Sequence, residues 1–311
     1  MPSAVIPIPY LIGLATAANI GSAATITGNP QNMLIGLTAP IAFVEFSLAL
    51  VPVALLGLVI AWGILLGLYR TKFAPRTLPP TAAMPTPSDP WLLKKSLALI
   101  GLMLIAFVVG VPIPLAAIGV AAALLITRRT DPAGIFARVD WSLLVFFSGL
   151  FVVTGALSYS GMTNALFELA QDWMRAGVLP LSLTAALLSN LISNVPAVML
   201  FRPLIPQLAD AQRMWLALAM SSTFAGNLTL LGSVANLIVA ESARAHGVRL
   251  SFGEYLKAGV PITLVTLAVG IALTKLKLRV FCRTQKSPLI RLVQQSGFWR
   301  ATLSNFRHDR S

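Results

Sequence analysis

The run VEFSLALVPVALLGLVIAWGILLGLY, residues 44–69, carries one charged side chain, Glu45, and is otherwise apolar but for Ser47 and the phenol of Tyr69. A helix of about 20 residues crosses the roughly 30 Å hydrocarbon core of a bilayer, so this run is a full span. Further apolar runs follow at about 92–110, 115–127, from Trp141 onward, and at 258–276. Within hydrocarbon every backbone N–H and C=O needs an internal partner, which leaves helices and closed barrels. The runs are helical in length. With 57% hydrophobic residues, 11% charged residues and a mean hydropathy of +0.82, the expected fold class is an all-α polytopic membrane protein.

Other classes fall away on charge and ligand chemistry. The formal charge of +13 suggests nucleic acid only until its distribution is read: the basic residues gather in linkers and in the tail. Cys282 is the single cysteine, and His246 and His308 lie far apart, so neither a disulfide framework nor a zinc site is expected, and no cofactor. The opening MPSAVIPIPY lacks a basic region and a cleavage pattern and does not read as a signal peptide.

Against this apolar background the polar stretches stand out. Residues 19–36 read NIGSAATITGNPQNMLIG, in the middle of a span expected at 10–36. Residues 179–208 are interrupted at Ser193, Asn194 and Pro196, leaving two arms too short to span, which predicts a re-entrant hairpin with SNVP at its tip. The span at 215–240 is interrupted by AGNLTLLGSVAN. Placing Thr25 on Thr229 without a gap brings Gly28 onto Gly232 and Asn32 onto Asn236, so one interrupted helix occurs twice. Paired interruptions in corresponding halves are the mark of secondary transporters, in which unwound backbone and short polar side chains supply ligands near the bilayer midplane.

The expected organisation is an interrupted helix of a first repeat at 1–42, then a spanning helix and proline-rich cytoplasmic linker at 43–91. A second repeat at 92–280 contains scaffold helices, the hairpin 179–208, the interrupted helix 215–240 and a final helix 258–276. A basic tail occupies 281–311. The segment 162–177, with Glu168, Asp172 and Arg175 on its polar side, reads as an interfacial helix, and Trp62, Trp141, Trp173 and Trp215 read as belt aromatics. If the linker is cytoplasmic, alternation places 128–140 and 241–257 on its side. These three regions hold 11 Lys/Arg against three in the opposing 160–213, in keeping with the positive-inside rule, while nine between Lys275 and Arg310 contradict it.

The segments ANIGSAATITGNPQN, VDWSLLVFFSGLFVVTGAL, SNVP and FAGNLTLLGSVANLIVAE, in this order, resemble the ion transporter superfamily. That group includes arsenite permeases, one type of sodium/proton antiporter, citrate permeases and sodium–dicarboxylate carriers. The resemblance implies two inverted repeats, each with a hairpin and an unwound helix, and a homodimer formed through scaffold helices. It also implies a first scaffold and a first hairpin ahead of the unwound helix, so the 311 residues are expected to be a fragment, or else another chain completes the site. Arsenite-permease and antiporter relatives often carry Asp where this chain has Asn29, which speaks against proton exchange at that position.

The expected function is secondary active transport of a small anion, a carboxylate or inorganic oxyanion, across the inner membrane by alternating access. Candidate ligands for substrate or ion are Asn19, Ser22, Thr25, Gly28, Asn32, Ser193, Asn194, Gly226, Asn227, Thr229, Ser233 and Asn236, with a possible Na⁺ near Ser193, Asn194, Gly226 and Asn227. Helix N-termini favour an anion, and oxygen ligands suit a hard cation. None of the ten acids falls at mid-span, so Na⁺ is expected before H⁺ as the coupling ion. Each of these residues also has a packing reading, because Ser, Thr and Asn bond helices together in membranes and Gly lets them approach. The alternatives are a Na⁺/H⁺ antiporter, an arsenite efflux permease and, last, an intramembrane hydrolase, for which a nucleophile–base pair within the membrane is missing. Expected partners are the anion and the lipid bilayer, with no nucleic acid.

Overall fold

The computed structural model describes residues 7–72, 89–126, 132–137, 139–162, 165, 168, 172–174 and 176–284. Every regular element among them is a helix. Helices α1 (Ile8–Ser22) and α2 (Pro30–Thr38) flank a break that contains a 3₁₀ turn, Ile26–Gly28. There follow α3 (Phe43–Tyr69), α4 (Pro90–Val109), α5 (Ile113–Leu125), the short α6 (Pro132–Phe136) and α7 (Trp141–Tyr159). A helical hairpin of α8 (Val178–Ile192) and α9 (Asn194–Phe201) turns at Ser193. The chain ends in α10 (Ala211–Ala225), a second break, α11 (Val234–Ala245) and α12 (Phe252–Thr284). Three of these helices are long and apolar enough to cross a membrane: Phe43–Tyr69, Pro90–Val109 and Phe252–Leu276. The chain is a multi-pass membrane protein.

The final helix starts earlier than hydropathy suggests, at Phe252 rather than about 258, and its backbone stays helical to Thr284. The early start comes from Ser251-Phe-Gly-Glu254, a capping-box sequence in which the Ser251 hydroxyl accepts from the Glu254 N–H at 3.2 Å. The proline-rich linker at 73–88, the tail beyond 284 and much of the segment 162–177 lie outside the described residues.

The core is built around α10, whose residues Met214 to Ala225 are all buried. Helices α8 and α12 pack along it, and α1, α2 and α3 close the remaining sides. Trp215 is therefore a core residue, 2% exposed, and not a belt aromatic; hydropathy does not distinguish a helix wrapped by protein from one wrapped by lipid. Trp62, 65% exposed on α3, is surface. Helices α4 and α5 form an outlying antiparallel pair on which Phe107 alone is buried.

The repeat runs further than the interrupted helices. FVEF at the start of α3 matches FGEY at the start of α12, and each helix carries an internal proline at the same distance, Pro52 and Pro261. The two starts lie at opposite ends of the bundle. Gln212 at the start of α10 donates to the Glu45 carboxylate, whereas Glu254 pairs with Lys72 (3.5 Å) and Lys257 (2.8 Å), and Tyr69 Oη donates to its backbone carbonyl at 3.5 Å. Residues 69–72 and 251–257 thus share one end of the bundle.

Candidate functional site

Breaking a helix inside hydrocarbon strands carbonyls at the end of its first half, and each unpaired backbone group there costs several kcal/mol. Both breaks solve this with the same side chain. Asn32 Nδ2 donates to the Ser22 and Thr25 carbonyls at 3.2 and 3.1 Å, and Asn236 Nδ2 donates to the Gly226 and Thr229 carbonyls at 2.8 and 3.1 Å. Every partner in the second set lies 204 residues after its counterpart in the first. The glycines follow the same register: a Cβ on Gly28 would sit 2.0 Å from Ser22 O, and one on Gly232 would sit 2.9 Å from Gly226 O. Gly and Asn recur because the folded-back carbonyl leaves room only for glycine and needs an amide to hold it, while Thr25 and Thr229 enter the clamp through their backbone carbonyls. Asn32 and Asn236, both fully buried, therefore have a structural duty, although their Oδ1 atoms are left without a partner.

The second half-helices begin with side-chain caps. Asn29 Oδ1 accepts from the Asn32 N–H at 2.8 Å, and Ser233 Oγ accepts from the Ala235 N–H at 3.2 Å. The caps also tie the repeats together by a pseudo-two-fold exchange. Ser233 Oγ donates to Asn19 Oδ1 at 2.9 Å, and in the related pair Asn29 Nδ2 donates to Thr223 Oγ1 at 3.1 Å, where Thr223 occupies the place of Asn19 in the other repeat. Gln31 Nε2 adds a 3.3 Å bond to Thr223, Asn29 a 2.9 Å bond to Ser22 Oγ, and Asn19 Nδ2 a 3.2 Å bond to Asn227 Oδ1.

The hairpin meets this crossing at its tip. Ser193 has φ 77, outside the usual range of a residue with a side chain, and the strain turns the chain so that α9 starts beside the breaks. One turn before the tip, Asn190 Nδ2 donates to the Ala225 carbonyl at 2.9 Å, capping the end of α10, and its Oδ1 faces Gly232 without a partner.

Between these elements lies a cavity of about 320 Å³. Its lining comes from the end of α1 (Ala18, Asn19, Ser22), the first break and the start of α2 (Gly28, Asn29, Pro30, Gln31), the hairpin tip (Ser193, Asn194, Val195) and the start of α11 (Ser233, Val234, Ala235, Ile238). Phe146 and Phe147 of α7 complete the wall. Of the candidates read from sequence, Asn19, Ser22, Gly28, Ser193, Asn194 and Ser233 line this space. Thr25, Asn32, Gly226, Asn227, Thr229 and Asn236 stand behind it, in the backbone clamps and cross-repeat bonds. Asn29, Gln31, Thr223, Asn190 and the two phenylalanines were not among the candidates. The side chains across the crossing are some 200 positions apart in sequence, and only the inverted pairing brings them together.

Three helix N-termini, those of α2, α9 and α11, open into the one cavity. Pro30 and Pro196 have no N–H, and the Asn32 and Ala235 N–H groups go to the Asn29 and Ser233 caps. Gln31, Asn194, Val195, Val234 and Asn236 therefore carry the first-turn N–H groups without a helical or capping partner, and each end carries about half a positive elementary charge. Asn194 is 7% exposed and its Oδ1 is unpartnered. The site can hold a polar or anionic group at the N-termini and offers neutral oxygens beside it.

Comparison with known proteins supplies a family. The citrate transporter (CitMHS) family model matches residues 3–224. Similar curated proteins include the silicon efflux transporter LSI3 of Oryza sativa subsp. japonica, 33% identical over 85% of this chain and 70% of its own length. A 46 kDa membrane protein of Mycobacterium leprae is 30% identical over 84% of this chain and 66% of its own. The putative transporter arsB of Dictyostelium discoideum is 37% identical over 56% and 32% respectively. The chain spans about two thirds of the length of the first two. These names are of transporters rather than enzymes, or of a membrane protein. With a family model covering more than half of its residues, matched across both the first broken helix and the hairpin, this chain belongs to the citrate transporter family.

Proposed function

We propose that the chain carries the binding site of a secondary active transporter that moves a small anion, a carboxylate or inorganic oxyanion, across a cell's inner membrane by alternating access. The observation that carries this reading is the convergence of three helix N-termini on one cavity. Fixed N–H dipoles attract negative charge without a titratable group, so a ligand can be held and released without proton chemistry at the site. Sodium is the coupling ion in this reading, held among oxygens around Ser193, Asn194, Gly226 and Asn227, with Asn190 added by its position. The unpartnered Oδ1 atoms of Asn194 and Asn190 support it, since buried acceptors without donors suit a hard cation. A homodimer through α4, α5 and α7, whose apolar faces point outward, completes the assembly.

Uptake of labelled anion into proteoliposomes, with Na⁺ replaced by K⁺ at fixed pH, tests the coupling: uptake that ignores Na⁺ and follows a pH gradient refutes it. Asn194→Ala is expected to lower uptake at unchanged protein level, because a desolvated ion needs each oxygen of its shell. A second reading, efflux of an uncharged or weakly acidic oxyacid such as silicic acid or arsenite, is favoured by the neutral lining and by the named silicon efflux relative. Transport that falls as pH rises through the oxyacid's pKa supports this second reading over the first. A Na⁺/H⁺ exchange reading requires a titratable group that the cavity lining does not provide.

A further inference from the structure

The second break is also backed by α12. Tyr255, in the first turn of that helix, is fully buried, and its hydroxyl stands beside the Asn236 amide. Tyr255 Oη and Asn236 Oδ1 are both without a hydrogen-bond partner. A phenolic O–H donates and an amide oxygen accepts, so each supplies what the other lacks. Both residues are fully buried, where polar groups are paired as a rule.

A glycine lets α12 reach the break. One turn after Tyr255 stands Gly259, where a Cβ would sit 2.5 Å from the Asn227 carbonyl oxygen, 3.2 Å from that of Leu228 and 2.9 Å from Tyr255 Cε1. The helix therefore lies directly on the unwound chain, with the Tyr255 ring alongside. The first repeat is built differently. Matching FVEF to FGEY puts Phe46 at the place of Tyr255 and Leu50 at that of Gly259; both are buried, and neither offers a hydroxyl or a gap.

What Asn236 holds gives this contact its consequence. Its Nδ2 fixes the Gly226 and Thr229 carbonyls. The same two oxygens lie 2.9 and 3.2 Å from the point that a Cβ on Gly232 would occupy, and Asn190 Oδ1 lies 3.0 Å from it. Each carbonyl oxygen keeps a second lone pair, and Asn190 Oδ1 is unpartnered. Three oxygens thus gather beside Gly232, two of them aimed by one amide.

Resting on the sodium reading above, we propose that Tyr255 is a positioning residue for the cation: its hydroxyl donates to Asn236 Oδ1 and so keeps the Gly226 and Thr229 carbonyls directed at the ion. Tyr255 itself touches no ligand. Without its hydroxyl the Asn236 amide is free at its oxygen end and rocks about a broad terminal torsion, and the two carbonyls rock with it.

Thermal unfolding of the purified chain in detergent, with Na⁺ exchanged for K⁺ at constant ionic strength, reads the effect, because a ligand that binds only the folded state raises Tm once its concentration exceeds its Kd. The Tm of the unaltered chain is expected to climb with Na⁺. Tyr255→Phe is expected to need about fivefold more Na⁺ before the climb begins, the ratio set by one hydrogen bond of ordinary net strength. Phenylalanine is what the first repeat carries at this place, so the ring packs as before. Phe46→Leu is the packing control: it is expected to lower Tm at every Na⁺ concentration and to leave the onset unmoved. Hydrogen exchange without Na⁺ gives a second reading, expected to rise at 226–232 in Tyr255→Phe while 22–28 stays as in the unaltered chain; no rise at 226–232 overturns the hold on the carbonyls. An unmoved onset in Tyr255→Phe overturns the inference and leaves the sodium reading standing. An onset moved equally by Phe46→Leu overturns the part of the hydroxyl. A Tm of the unaltered chain that ignores Na⁺ overturns the sodium reading and this inference together.

Discussion

The two broken helices share a backbone device and differ in what surrounds it. In both, an asparagine on the second half holds two carbonyls of the first half and a glycine lies under one of them. Around the first break Asn29 and Gln31 of its own second half bond to Thr223 of the opposite repeat. Around the second, support comes also from the hairpin, where Asn190 caps the last carbonyl of α10. The backbone of a break is therefore specified by its own short motif, whereas its polar surroundings are set by whichever elements topology brings alongside. The repeated part is scaffold, and chemistry that is not repeated is where specificity can differ.

The largest expected effect separates the two glycines. Gly28→Ala forces a Cβ to 2.0 Å from a backbone oxygen held by Asn32, and Gly232→Ala brings one only to 2.9 Å. Overpacking of the second kind costs about 1–3 kcal/mol. Gly28→Ala is expected to exceed this and to abolish accumulation of folded protein, with Gly232→Ala leaving folded protein of lowered Tm. Equal Tm losses in detergent would show that the first break yields more readily than its geometry indicates.

Next come the clamps. Asn32→Ala and Asn236→Ala each release two carbonyls in a buried setting, at about 1–3 kcal/mol per unsatisfied group. The two variants are expected to lose Tm to similar extents. A clear difference would break the equivalence of the repeats. Asn190→Ala sharpens the comparison from the other side. It uncaps one carbonyl of the second break alone, so hydrogen exchange should rise at Ala225–Gly232 while Thr25–Asn32 stays protected, and exchange rising equally at both would count against a hairpin-specific support. The smallest effect is expected from Lys72→Ala: its partner Glu254 keeps Lys257, and partly exposed pairs contribute about 0–1 kcal/mol.

Much of this organisation is legible in the chain before folding. Polar residues inside apolar runs mark both breaks and the hairpin tip, and Thr25, Gly28 and Asn32 against Thr229, Gly232 and Asn236 mark the repeat. The further match, FVEF with FGEY and Pro52 with Pro261, escapes an ungapped comparison because α11 and the connection after it are both longer than α2 and its connection, which shifts the register. Trp215 illustrates a different limit, since an indole beside an apolar run fits a belt and a core equally well. The site was legible in part. Ser193 and Asn194 announce themselves by breaking a helix, but Thr223 sits inside one, and only the folded crossing shows it opposite Asn29. Phe146 and Phe147 resemble the rest of an apolar span, and no local pattern marks them as facing a cavity.

The asparagine clamps have an entropic consequence. Unwound backbone in a protein interior is commonly loose, and a ligand that orders it pays about 1–2 kcal/mol for each residue fixed. Here the loops at both breaks are already tied at two carbonyls each by a side chain from their own helix, with glycine closing the fold underneath. A ligand entering the cavity therefore meets dipoles that are already aimed, and little of its binding free energy goes into arranging them.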